Sequence, residues 1–136
     1  MKALLLHCGS FSYKVTQSTP VAESNPPATE GEFTDCVVVL TSVEKHDEVR
    51  EAEVTAKFID AVQTFTSRIG CKKVILYPYA HLTNALGSPK FAKTIFASLE
   101  AKLKEGFEVH RSPFGFYKEF KVACKGHPLS EAFRDL

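Results

Sequence analysis

The sequence predicts an α/β fold: a two-layer sandwich of one mixed β-sheet and two main helices. Three observations carry that expectation. Short, almost wholly apolar runs at Lys2–Cys8, Cys36–Val43 and Cys71–Tyr77 have the length and the boundaries of buried strands. Two longer stretches repeat apolar residues at helical spacing: Val54, Phe58, Ala61, Val62, Phe65 and Ile69, then Ala92, Ile95, Phe96, Leu99 and Leu103. The segments follow in the order strand, strand, strand, helix, strand, helix, strand, strand.

Taken from the N-terminus, the first run ends at Gly9-Ser10, and Phe11–Thr16 then alternates apolar and polar residues, which suggests a hairpin partner. Ser18–Glu32 contains Pro20, Pro26, Pro27 and Gly31 among polar residues and reads as a long surface loop. After the second buried strand, Asp47 is the expected N-cap of the first helix, with Glu48 in its first turn and Gly70 as its stop. Ser88 caps the second helix and Pro89 takes its first position, where a missing N–H costs nothing. Gly106 ends that helix. Phe107–Arg111 and Tyr117–Cys124 are read as antiparallel neighbours, and the tail from Leu129 as a helical turn carrying Glu131.

The 136 residues suffice for a single domain spanning 1–136 with a real hydrophobic core. A net charge of +1 offers no broad attraction to nucleic acid, so any RNA contact needs a local basic cluster. The basic residues do thicken from Lys102 to Lys125, although a solvated face accounts for that equally well. Four cysteines without a C-x-x-C pair, no signal peptide and no apolar run of membrane-spanning length point to free thiols, no zinc site and a cytoplasmic location.

The stretch Ser112-Pro113-Phe114-Gly115-Phe116-Tyr117-Lys118 opens as a turn and becomes a strand. Strand parity groups Lys118 with Phe120, Val122 and Cys124, and sends Glu119, Lys121, Ala123 and Lys125 to the other face. One lysine therefore sits at the mouth of an apolar face, where a charge needs a partner or an anionic ligand. The simpler account is that it reaches past the strand end into water.

No phosphate-binding glycine fingerprint or metal-binding spacing is present, so no cofactor is expected. His81 lies on the loop after the third buried run, a common place for functional residues and also for backbone-bonded ones. Cys124 is in a strand-interior apolar position, which suits packing better than nucleophilic attack. A pocket can be drawn from Tyr79, Ala80, His81, Tyr117 and Lys118, but these residues alone do not name its reaction.

Three motifs in order carry a resemblance: Y-P-Y-A-H-L at Tyr77–Leu82, S-P-F-G-F-Y-K-E-F-K at Ser112–Lys121 and C-K-G-H-P-L at Cys124–Leu129. Jointly, they closely resemble the N-terminal editing domain of archaeal threonyl-tRNA synthetases, over essentially the whole chain. The resemblance implies a fold like that of D-aminoacyl-tRNA deacylases, usually assembled as a homodimer. It also implies hydrolysis of L-seryl-tRNA(Thr), in which serine has been mischarged onto threonine's tRNA. The family's pocket lysine falls on Lys118 and its loop histidine on His81, the two expected catalytic positions. Substrate-binding positions fall on Ala80, Tyr117 and Glu131, joined by Tyr79 and Phe114 from the same motifs. The implied partners are the acceptor end of tRNA(Thr) carrying serine, and the catalytic and anticodon-binding domains of a synthetase in cis or in trans. Three other readings stay open: a non-catalytic aminoacyl-tRNA or amino-acid binding module, a deacylase selective for D-amino acids, and a domain that only dimerises.

Overall fold

A long antiparallel hairpin forms the middle of the sheet. In the computed structural model, which describes residues 1–136, β1 (Lys2–Ser18) pairs with β2 (Glu30–Ser42) from Lys2↔Ser42 to Lys14↔Glu30. Gly9-Ser10 does not end a strand: the two expected strands are one. The reason is a local irregularity. Pairing of β1 with the later strand β5 (Phe116–Cys124) shifts register between Cys8 and Ser10, and Asp35, facing Gly9, takes a left-handed φ of 46°. Leu4, Leu6 and Cys8 lie on one face before this point, and Phe11 and Tyr13 continue that face after it. One extra residue has flipped the parity, as a β-bulge does.

From β2, two crossovers run through helices. α1 (Glu51–Ile69) leads to β3 (Lys73–Pro78), and α2 (Pro89–Leu103) leads to β4 (Glu108–Arg111), each strand parallel to its predecessor. The sheet order is β4-β3-β2-β1-β5, with β6 (Glu131–Asp135) also paired to β1. Both helices cover one face, where Leu5, Val39, Leu76, Phe58, Ile95 and Phe96 are buried together. One end of each follows the expected chemistry: Gly70 closes α1 at φ 68°, and the Ser88 hydroxyl accepts the Phe91 N–H at the start of α2, whereas α2 ends at Leu103 with Lys104, not Gly106, as its C-cap.

Three expectations are corrected. β4 and β5 are not neighbours but opposite edges of the sheet, because the second parallel crossover carries β4 outward past β3. The tail is a strand: Glu131–Asp135 pairs with Leu6–Lys2 and lays Ala132 against the helical core. Asp47 does not cap α1. It belongs to a 3-10 turn, Lys45–Val49, is fully buried, and accepts the Met1 ammonium at 2.7 Å and the Glu44 N–H at 2.7 Å. A carboxylate with those partners serves the chain start rather than the helix start.

The face away from the helices curls inward. Three strand spacings would hold β3 and β5 ~14 Å apart in a flat sheet. The rings of Tyr77 on β3 and Phe120 on β5 nevertheless lie 5.5 Å apart, centroid to centroid. That curl, filled by Phe11, Tyr13, Tyr77 and Phe120, shapes the cavity described next.

Candidate active site

A cavity of about 540 Å³ opens where the C-terminal end of β3 meets the start of β5. β3 runs into a 3-10 turn, Ala80–Leu82, that presents the Ala80 backbone and the exposed His81 ring. The 112–115 turn contributes Phe114, and β5 contributes Tyr117 and Lys118. Lys118, His81, Ala80, Tyr117, Tyr79 and Phe114 therefore all line one cavity.

The seventh expected site residue, Glu131, does not join them. Glu131 lies opposite Leu6 and Lys118 opposite Val15, nine residues apart along β1. At strand spacing that is on the order of 30 Å. Glu131 is exposed on β6 and does not line the cavity.

Lys118 does not reach past the strand end into water. It is half-buried, its Nζ donates to the Pro113 carbonyl at 2.7 Å, and it lies 4.4 Å from the centre of the Tyr77 ring. Burial is the main cause that lowers its pKa to about 8, opposed by the nearby Glu23 carboxylate and assisted by the Arg111 guanidinium. An ammonium has three donors, so two remain for a ligand. Beneath it, burial pushes the Tyr77 phenol well above its ordinary range, so that ring is neutral.

The support under Lys118 comes from far away in sequence. Glu23 takes Arg111 in a bidentate pair, Nη1–Oε1 2.9 Å and Nη2–Oε2 3.2 Å, and also accepts the Phe114 N–H at 2.7 Å. Arg111 Nε reaches Glu100 at 2.8 Å. The Thr19 hydroxyl donates to the Gly115 carbonyl at 2.6 Å. Gly115 has φ 81°, and a Cβ there would fall 2.6 Å from the Ala22 Cα. The front of the Pro-rich segment is thus one wall of the cavity, with Thr19 and Val21 lining it. Sequence reasoning passed over Thr19, Glu23 and Arg111, and nothing local marks them. Ser42, also in the lining, had a faint signal: Thr41-Ser42 is a polar pair closing an apolar run.

His81 stacks edge-on against Tyr79 at 5.2 Å, and its ring makes no hydrogen bond within the protein. Cys124 lies at the far end of β5, with its Sγ 3.8 Å from the Ser130 carbonyl, outside the cavity. Lys121 is exposed outside it, and Lys125 pairs with Asp35. Two side-chain groups elsewhere could hold a metal ion, His7/Asp35/Cys71 and Glu44/His46/Asp47. In each, a protein cation already faces the carboxylates: Lys125 in the first and the Met1 ammonium in the second. A larger cleft, about 880 Å³, lies between α1 and α2 and contains none of the expected site residues.

Chemically, the cavity offers an ammonium of lowered pKa, an unbonded imidazole, a backbone turn and aromatic walls, without a nucleophile held by a base. A model of the archaea-specific editing domain of threonyl-tRNA synthetase matches residues 1–136. The threonine–tRNA ligase of Methanopyrus kandleri is 40% identical over 135 residues, covering 98% of this chain and 22% of that protein. That of Methanococcus maripaludis is 40% identical over 136 residues, covering 100% and 22%, and that of Methanosarcina mazei is 38% identical over 137 residues, with the same shares. The chain thus spans about a fifth of the length of these relatives. Among solved structures, the c-Myc DNA unwinding element binding protein superposes with a TM-score of 0.71 at 10% identity, over 100% of this chain and 99% of that one. This likeness concerns the fold, the two-layer arrangement expected of a D-aminoacyl-tRNA deacylase-like domain. The chain belongs to the family of archaea-specific editing domains of threonyl-tRNA synthetase.

Proposed function

We propose that this domain hydrolyses the ester of L-seryl-tRNA(Thr), releasing serine and restoring the tRNA for threonylation. The observation that carries this reading is Lys118: a cavity-facing ammonium with two donors unspent, at the edge of an aromatic pocket beside the Ala80–His81 turn. Serine lacks one methyl of threonine, a difference worth only ~1–3 kcal/mol in a synthetic site, so fidelity requires a second, hydrolytic site. The ester is already activated. Water attacks it once it is correctly placed and once charge developing on the carbonyl oxygen is stabilised. Lys118 supplies that charge stabilisation. The ribose hydroxyl next to the ester helps orient the water, and His81 positions the terminal sugar. Threonine's methyl displaces the water or fails to fit. The cavity volume is within the ~300–1,000 Å³ typical of small-ligand sites.

The partners of this reading are the acceptor end of tRNA(Thr) and the remaining synthetase domains, in cis or in trans, in the cytoplasm. The domain acts as a homodimer. Exposed Val122, Leu129 and Phe133 on the β5–β6 side supply apolar surface for that contact. Glu131 is too far from Lys118 for both to reach one ester within one chain, so any role it has at the ester is across the dimer. Serine release is measured from seryl-tRNA(Thr), with threonyl- and D-aminoacyl-tRNA alongside. Fast release from the L-seryl ester alone supports the reading. Protection of the ester would point to a binding module, and preference for D-aminoacyl esters to a D-selective deacylase.

A further inference from the structure

The turn that carries Ala80 and His81 is held by two side chains, one at the end of β2 and one just beyond it. Ser42, the last residue of β2, is buried and lines the cavity. Its hydroxyl donates to the Tyr79 carbonyl and accepts the Leu82 N–H at 3.2 Å. One hydroxyl can do both, having one proton and two lone pairs. These two bonds bracket Ala80 and His81. Two residues on, the buried Glu44 accepts the Thr83 hydroxyl at 2.6 Å, and Thr83 Oγ1 in turn accepts the Ala85 N–H at 3.1 Å. A buried carboxylate needs compensation. Its other oxygen receives the Met1 ammonium at 3.0 Å. The backbone runs alongside, with Tyr79 N–H on Thr41 at 2.8 Å and Lys45 N–H on Ala85 at 2.9 Å. Both hydrogen bonds of the Ser42 hydroxyl, and that of Glu44 Oε1, end on the 79–83 segment rather than in the hydrophobic core. His81 has no hydrogen bond of its own, so its place is set by the backbone beneath it.

From this geometry we propose that Ser42 and Glu44 are positioning residues of the site, a clamp that sets where the Ala80 backbone and the His81 ring stand relative to Lys118. The proposal rests on the deacylase reading above. Reacting groups displaced by ~1 Å lose ~100-fold in rate, which is why such a clamp matters to the chemistry. The test compares Ser42→Ala, Ser42→Thr and Thr83→Val in single-turnover hydrolysis of seryl-tRNA(Thr), with amide hydrogen exchange on the free protein. Ser42→Ala is expected to lose ~10–100-fold in rate and to speed exchange at the Leu82 amide, and Ser42→Thr, which keeps the hydroxyl, to recover both. The double variant Ser42→Ala/His81→Ala is expected to fall little below the worse single variant, because both changes act through one turn. A wild-type rate in Ser42→Ala, unaltered Leu82 exchange, or fully additive losses in the double variant would each overturn the clamp. If Ser42→Ala does not fold, Thr83→Val decides at the Glu44 arm: a ~10-fold loss supports positioning, and an unchanged rate refutes it. If the wild type releases no serine, the deacylase reading falls, while the exchange measurement still decides whether Ser42 holds the turn.

Discussion

Replacing Lys118 by methionine is expected to separate activity from stability. The folded pKa of about 8, against 10.5 for a free lysine, means that the protein holds this ammonium at a disadvantage. At 1.36 kcal/mol per unit, that disadvantage is on the order of 3 kcal/mol at neutral pH. Methionine removes it with little change of shape. Against the gain stand the Pro113 carbonyl, which loses its donor, and the contact with the Tyr77 ring, together ~1–2 kcal/mol. The balance favours the variant by ~1–2 kcal/mol, a rise in Tm of several degrees for a domain of this size. If Lys118 stabilises the developing oxyanion as proposed, the same change is expected to cost ~10²–10³-fold in hydrolysis. The folded state binds fewer protons than the unfolded one between pH 8 and 10.5. Stability contributed by this group is therefore full above 10.5 and falls to its lower plateau as pH drops through 8. Lys118→Met is expected to lose that dependence. Calorimetry across pH and single-turnover hydrolysis read the two halves separately. The ratio of wild-type to variant rate should be constant below pH 8 and shrink above it. A variant that is both less stable and fully active would refute the argument. So would Lys121→Met, exposed outside the cavity, costing as much activity as Lys118→Met.

His81→Ala is expected to cost ~10–100-fold in single-turnover rate with a pH profile parallel to wild type, whereas an inflection near pH 6.5 that disappears in the variant would make His81 a general base. Cys124→Ala should retain most turnover and lose some stability through a small cavity, and a covalent seryl-cysteine intermediate in mass spectrometry would contradict this. Asp47→Asn leaves the buried Met1 ammonium with Glu44 alone, and urea unfolding should show a loss of ~3 kcal/mol. A midpoint within error of wild type would mean that Asp47 adds nothing to holding the chain start.

The elements legible in the sequence are those whose signal is local. Ser88-Pro89 marks the start of α2 because the cap and the free first N–H involve neighbouring residues. Gly70 marks the end of α1 for the same kind of reason. Lys118 could be assigned to the cavity side because strand parity is a property of consecutive residues, and Tyr77–Leu82 and Ser112–Lys121 could be matched to a family because their residue types stand in unbroken runs. Gly9 misled because a glycine that ends a strand and a glycine that bulges within one look identical until the partners, Asp35 on β2 and Ala123–Cys124 on β5, are in place.

Apart from the Lys118–Pro113 bond and the Tyr79–His81 contact, what holds the site in shape is long-range. Glu23 finds Arg111 across 88 residues, the Met1 ammonium finds Asp47 across 46, and Ser42 reaches Tyr79 across 37. The edge positions of β4 and β5, the strand nature of β6 and the distance of Glu131 from Lys118 depend on how strands assemble around β1. By itself, the chain's sequence determined the caps at Gly70 and Ser88, the buried helical stripes and the side of β5 on which Lys118 stands, since those follow from backbone geometry over a few residues. Only the tertiary structure decided which of them meet, because a hydrogen bond or an ion pair between distant segments leaves no periodic trace in either one.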